Sequence, residues 1–153
     1  AWAFDSDKVS QIVPLLKQRV ERFSDVVSLG GFFVDGQLEL GEVDFQHKSI
    51  ELSLAAKILQ FTLWKLEEVE ELSRDVVEAE LQALAGLLGL KIRDFLFPLF
   101  VAISGKAVST SVIESIAILG IDITRARIRH GISVVGGISK KQAKSLEKEF
   151  RSL

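Results

Sequence analysis

Residues 96–105 read LFPLFVAISG, an apolar run with a proline in its third place and a glycine at its end. Three readings compete: a membrane segment, a buried strand, or a helix. A membrane span needs roughly 20 consecutive apolar residues, and the strongly apolar stretch 95–103 is far shorter and is interrupted by Pro98. A central strand with Pro98 in its middle would forfeit a ladder hydrogen bond. A helix that begins near Pro98 and is closed by Gly105 breaks no rule, because proline suits a first helical turn and glycine a helix end. The stretch is therefore predicted to be helical over 98–104, with Leu99, Ala102 and Ile103 facing a core.

The same logic extends outward in both directions. Downstream, Ser111 and Glu114 stand at capping-box spacing for VIESIAIL, which Gly120 closes. Asp122 can cap ITRARIRH, and after SVVGG a last helix runs from Ser139 with Ala143, Leu146 and Phe150 on its apolar side. Upstream, Val77, Leu81, Leu84 and Leu88 form the stripe of a helix that Ser73 or Asp75 can cap, and Gly89 sits where a C′ residue belongs. From Lys48 the helical period is clearest. Leu52, Ala55, Ala56, Leu59, Leu63 and Leu66 make one apolar row, and Leu54, Ile58 and Phe61 a second beside it. A helix with so wide an apolar face is central and buried. The stretch DGQLELGEVDF has three turn-prone points and no helical period, so it reads as a short hairpin or an acidic loop. Near the N-terminus Asp5-Ser6-Asp7 can cap residues 8–12, Pro14 suits the first turn of LLKQRVERF, and Ser24-Asp25 can cap VVSL before Gly30-Gly31. The fold class is all-α, a bundle or cage of short helices joined by short loops.

At 153 residues, with 48% apolar and 26% charged side chains, the chain suits one medium domain or two small lobes sharing a core. We divide it into an N-terminal lobe at 1–47 and a C-terminal lobe at 48–153. There is no cysteine, which excludes disulfides and thiolate metal sites. Methionine is absent even at position 1, from which we expect a piece cut from a longer chain. The opening AWAFDSDKVS has no basic region followed by an apolar one, so no secretory signal is read and a cytoplasmic location is expected. The net charge of −2 hides a division: residues 1–90 carry 8 Lys or Arg against 16 Asp or Glu, and residues 91–153 carry 11 against 5. A basic portion can meet a polyanion while the remainder stays acidic, although a solvated basic tail explains the same asymmetry.

No catalytic arrangement stands out. There is no P-loop, GxSxG, HExxH or phosphate-cradling G-x-G-x-x-G after a strand. The two histidines, His47 and His130, read as surface or capping residues, and Glu67, Glu68, Glu70 and Glu71 as a solvated acidic face. The isolated chain is expected to be non-catalytic and to hold no metal. What remains is basic: Arg125 and Arg129 four apart on one helical face, and Lys91, Arg93 and Lys106 bracketing the LFPLFVAISG helix. Helix N-termini beside such cations and beside the hydroxyls of Ser109, Thr110 and Ser111 are what phosphate binding uses.

The order of these motifs resembles the C-terminal anticodon-binding region of bacterial glutamyl-tRNA synthetases. That family runs from a Gly-Leu-Lys step to a Pro-Leu-Arg-x-Ala-Leu-Thr-Gly helix, a Thr-Pro turn and a helix ending Leu-Leu-Gly. Here the matching residues are Gly89-Leu90-Lys91, Pro98-Leu99, Ala102-Ile103-Ser104-Gly105, Ser109 and Leu119-Gly120. LLKQRVERFSDVVSLGGFFV is similar to the family's helix-Arg-helix element, and SRDVVEAELQALAGLLGL to the helix before the Gly-Leu-Lys step. The likeness covers roughly residues 7–131; class I lysyl-tRNA synthetases carry a similar cage. The resemblance implies an all-α cage, a monomer that meets no membrane, and as partners the anticodon stem-loop of tRNA(Glu) and the catalytic domain of the same synthetase. It implies no cofactor in this chain, with ATP and magnesium belonging to the catalytic half. SKK at 139–141 only echoes that half's lysine-rich ATP loop and is set aside.

Carried over residue by residue, the resemblance assigns Arg19 to reading the last anticodon base through a bidentate contact. A surface ion pair near Glu21 is the equal alternative. Phe100 stands where the family has the arginine of Pro-Leu-Arg; it can stack on an unstacked base but donates no hydrogen bond, and a core position is its alternative. Ser109 keeps a hydroxyl, while Thr110 replaces a proline and Ile113 an aromatic residue. With Lys91, Arg93 and Lys106 these complete the expected RNA-binding set. A helical protein-interaction scaffold that kept this fold and lost RNA binding is the reading held beside it.

Overall fold

The period that starts at Leu52 becomes α1 (Leu52–Glu68), and both of its expected apolar rows turn inward. Ala55, Ile58, Leu59 and Phe61 are fully buried, and Leu63 and Leu66 nearly so. The structure is a computed structural model that describes residues 10–14, 38–106 and 111–153. Among the described residues it is all-α, with no strand. The caps expected at Asp5-Ser6-Asp7 and Ser24-Asp25 lie outside the described residues, as does most of the N-terminal lobe. Residues 10–14 are helical, with Ile12 buried.

Local chemistry closes each remaining helix. Ser73 caps α2 (Arg74–Leu87) by accepting the Val76 N–H at 3.3 Å, so of the two candidate caps the hydroxyl is the one used. Gly89 takes φ 68°, and its own N–H and that of Leu90 return to the carbonyls of Gly86 at 3.1 Å and Ala85 at 2.9 Å. That pair of bonds is the Schellman arrangement, which satisfies last-turn carbonyls that a helix would otherwise leave bare. Val77, Leu81 and Leu84 are buried as expected, with Leu88 partly so.

The decisive stretch is helical, but its helix starts earlier than expected. α3 runs Ile92–Ser104, so Pro98 lies inside the helix rather than at its start. An interior proline forgoes one backbone bond and costs about 3 kcal/mol. Starting at Ile92 brings the fully buried Phe95 and the partly buried Leu96 and Phe97 into the helix, and a fully buried side chain of this size contributes about 1.5–3 kcal/mol. Packing outweighs the lost bond. Leu99, Val101, Ala102 and Ile103 are all fully buried, so the inward face is the one the sequence predicts.

α4 (Val112–Val134) is broken at Gly120, where φ 82° and ψ 172° leave the helical region and the helix then resumes. Its second half extends four residues past ITRARIRH, so His130 lies within the helix and not at its end. The cause is Gly131: a Cβ there would lie 3.1 Å from Ala102 Cβ, 3.3 Å from Leu59 Cδ1 and 3.4 Å from Phe45 Cζ. Only a bare backbone lets α4 approach α3 and α1 this closely. Phe45, fully buried, comes from DGQLELGEVDF, which forms neither hairpin nor open loop at its end but a 3-10 turn, Glu42–Phe45. Finally α5 (Lys140–Ser152) begins at Ser139, whose hydroxyl accepts the Gln142 N–H at 3.1 Å while Gln142 Oε1 accepts the Ser139 N–H at 2.9 Å. Phe150 docks α5 on α1, with ring centroids 5.4 Å from Phe61 and 5.5 Å from Trp64.

Candidate nucleic-acid interface

The C-terminal end of α3 and the N-terminal end of α4 meet in one small region, and several bonds hold it. Gly105, at φ 80°, donates to the Val101 carbonyl at 2.8 Å and turns the chain out of the helix. The buried Ser104 hydroxyl donates to the Phe100 carbonyl at 2.6 Å and accepts the Lys106 N–H at 3.3 Å. Arg127, almost wholly buried, reaches from α4 to the Ile103 carbonyl with Nη1 at 2.5 Å. A cation at a helix C-terminus opposes the negative end of the helix dipole. The carbonyls of Phe100, Val101 and Ile103 are thus each met by a different donor. On the α4 side, Ser111 accepts the Glu114 N–H at 3.4 Å, and the Ser115 hydroxyl donates to the Ser111 carbonyl at 2.6 Å. The reciprocal half of the expected capping box is replaced: Glu114 faces Arg74 at 3.4 Å.

Of the expected RNA-binding set, Phe100 and Lys106 lie in the last turn of α3 and just beyond it, and Ile113 in the first turn of α4. Lys106 is exposed, whereas Phe100 and Ile113 are partly buried and pack against the core. Ser109 and Thr110, in the connection between α3 and α4, lie outside the described residues, and so does Arg19. Lys91 and Arg93 are exposed at the opposite end of α3. A 13-residue helix separates them from Lys106 by about 20 Å at 1.5 Å per residue, so these cations form two separate patches. Beside the junction, Leu38, Glu39, Leu40 and His130 line an open crevice of about 460 Å³. His130 Nε2 lies 3.0 Å from the Leu38 carbonyl, and Leu38 and Leu40 flank Gly105.

Arg125 is engaged elsewhere. It bonds Glu67 at 2.8 Å and Asp122 at 3.1 Å, and its guanidinium pKa is raised first by the Glu67 hydrogen bond. Arg125 and Arg129 therefore do not act as a pair: Arg129 is exposed and makes no ion pair among the described residues. Arg74 is held likewise by Asp75, Glu78 and Glu114, with its pKa raised first by the Asp75 hydrogen bond. His47 accepts the Ser49 N–H at 3.1 Å in the bend before α1, and its ring lies 4.6 Å from that of Phe97. Among the described residues no three His, Asp or Glu side chains converge as a metal site, and no helix is long and apolar enough to cross a membrane. Arg127 is the residue that sequence reasoning missed. Its spacing in ITRARIRH looks like that of its exposed neighbours, and only its partner on α3 distinguishes it.

The all-α fold agrees with the comparisons. Residues 1–132 match the anticodon binding domain family. The chain is 44% identical over 152 residues to a glutamate–tRNA ligase of Marinobacter nauticus and 45% identical over 152 residues to that of Alcanivorax borkumensis. Each alignment covers 99% of this chain and 31% of the relative. A glutamate tRNA ligase from Elizabethkingia meningosepticum, solved in complex with its amino acid, shares the fold at a TM-score of 0.75 and 19% identity. The match covers 87% of this chain and 26% of that one. The enzyme from Elizabethkingia anophelis does so at 0.69 and 19% identity, over 86% of this chain and 25% of that one. The chain belongs to the anticodon binding domain family. It spans about a third of the length of these glutamate–tRNA ligases.

Proposed function

We propose that this chain is the anticodon-binding part of a glutamate–tRNA ligase, and that it takes up the anticodon stem-loop of tRNA(Glu). Ligation of glutamate, with ATP and magnesium, belongs to the remainder of that parent protein, which works in the cytoplasm as a monomer. The observation that carries this reading is 44–45% identity to glutamate–tRNA ligases over nearly the whole chain. The junction of α3 and α4 supports it, since Lys106 offers a phosphate contact and Phe100 and Ile113 an apolar platform beside it. Arg19 would add hydrogen bonds to a base edge, and Ser109 and Thr110 further polar contacts. Lys91 and Arg93, at the far end of α3, suit the phosphates of the stem better than the loop.

The test is filter binding of tRNA(Glu) across a salt series, with anticodon-substituted tRNAs alongside. An anticodon binder weakens steeply with salt and discriminates between the two tRNAs. A protein-interaction scaffold, the reading favoured by the inward packing of Phe100, shows no specific binding. The chain alone should give only background in glutamate-dependent exchange of pyrophosphate into ATP; a rate above background would overturn the assignment of chemistry to the rest of the parent.

A further inference from the structure

α5 carries a further basic surface. At 100° per residue, Lys140, Lys141, Lys144 and Lys148 fall within an arc of about 100° on this helix. All four are exposed, and none makes an ion pair among the described residues. Cations that face a carboxylate are paired: Lys57 with Glu149 at 2.5 Å, Lys65 with Glu80 at 3.5 Å, and Arg74 and Arg125 with several carboxylates each. Lysines four apart on a helix repel one another, which describes Lys140 with Lys144 and Lys144 with Lys148. Lys140 and Lys141 also occupy the first turn, where no acidic residue is present and the helix dipole disfavours positive charge. The arrangement runs against its own electrostatics, and among the described residues no carboxylate pairs with these lysines.

The chemistry of a partner for this face follows from what the face lacks. The apolar side chains of α5, Ala143, Leu146 and Phe150, are half-buried on the side of the helix away from the lysines, with Phe150 packed on Phe61, and leave no aromatic or aliphatic anchor among the lysines. A stable protein interface needs such an anchor at its centre, and a helix lying on a membrane needs a free apolar face. Phosphates need only point charges. We propose that the lysine face of α5 grips the phosphate backbone of the bound tRNA, as a contact separate from anticodon reading. This rests on the function proposed above, and α5 lies beyond the residues that match the anticodon binding domain family.

The experiment uses the full chain and full-length tRNA(Glu). Lys140→Gln, Lys141→Gln, Lys144→Gln and Lys148→Gln are combined, since glutamine keeps helix propensity and removes charge. Circular dichroism confirms folding; should the quadruple variant melt early, the Lys140→Gln/Lys144→Gln and Lys141→Gln/Lys148→Gln pairs take its place. The slope of log affinity against log salt should become shallower by about 0.7–0.9 for each lysine that touches a phosphate. The ratio of affinities for wild-type and anticodon-substituted tRNA should not change, because phosphate contacts carry no base information. Replacement of the same lysines by arginine should preserve the slope. Anticodon discrimination by the wild type with an unchanged slope in the glutamine variant would overturn the α5 contact alone, and turn attention to an acidic protein surface. Salt-dependent binding without discrimination, lost in the variant, would overturn the anticodon assignment and uphold the α5 contact. No RNA binding by the wild type would overturn both.

Discussion

Arg127 donates from Nη1 to the carbonyl of Ile103 at 2.5 Å, across 24 positions of sequence and from a residue only 5% exposed. A charged side chain so placed joins α4 to the end of α3 where the candidate interface begins. Replacing Arg127 with leucine keeps the apolar stem and removes the donor. The bare carbonyl should then cost about 1–3 kcal/mol, lowering Tm by several degrees at about 2–4 °C per kcal/mol for a chain of this size. Thermal melts followed by circular dichroism measure this. A Tm equal to wild type would mean that the Ile103 carbonyl finds another donor.

Two glycines with open space around them should respond with opposite signs. Gly120 sits at φ 82° and ψ 172°, and an added Cβ would meet nothing within 4 Å. Alanine there suffers backbone strain alone, on the order of 1–3 kcal/mol. Gly86 lies in the last turn of α2, also with nothing within 4 Å, and alanine there should stabilise by roughly 0.5–1 kcal/mol. Urea midpoints that shift in the same direction for both variants would contradict the assigned conformations.

The crossing at Gly131 leaves no room for a methyl group, because the nearest atom, Ala102 Cβ at 3.1 Å, is fixed to its backbone. Gly131→Ala should destabilise by about 1–3 kcal/mol through overpacking. Ile103→Asp, an unpaired charge at a fully buried position, should cost several kcal/mol and abolish the cooperative melt. A cooperative transition at the wild-type temperature in the aspartate variant would show that Ile103 does not face the core.

At the candidate interface, three truncations should leave different signatures in RNA binding. Lys106→Ala should weaken all RNAs alike and lower the salt slope by about one phosphate's share. Phe100→Ala should lose roughly 1–3 kcal/mol per stacked base with little change in slope. Because Phe100 also packs against the core, its melt must be measured beside its binding. Arg19→Ala should cost on the order of 1–3 kcal/mol and blunt discrimination at one base. Three folded variants that bind as wild type does would remove the anticodon site from this surface.

The helices were legible wherever their signals were local. The hydroxyls of Ser73, Ser111 and Ser139, the glycines at 89, 105 and 120, and the 3.6-residue period of α1 act within one or two turns, so their spacing carries their meaning. The candidate site was legible in part. Phe100, Lys106 and Ile113, which the resemblance singles out, fall at the adjoining ends of α3 and α4, but their spacing does not say which of them faces outward. Lys91 and Arg93 look like members of the same cluster until the length of α3 intervenes.

By itself, then, the sequence determined an all-α chain, the inward faces of α1, α2 and α3, and its membership of the family. These follow from periodicity, caps and motif order, all of which act along the chain. Tertiary structure decided the rest. It drew Pro98 into a helix interior because Phe95, Leu96 and Phe97 together bury more than one lost hydrogen bond costs. It sent Arg127 inward to the end of α3 and tied Arg125 to Glu67, although both look alike in ITRARIRH. Burial and pairing depend on which helix lies opposite, and that neighbour is set only when α1, α3 and α4 close around Gly131.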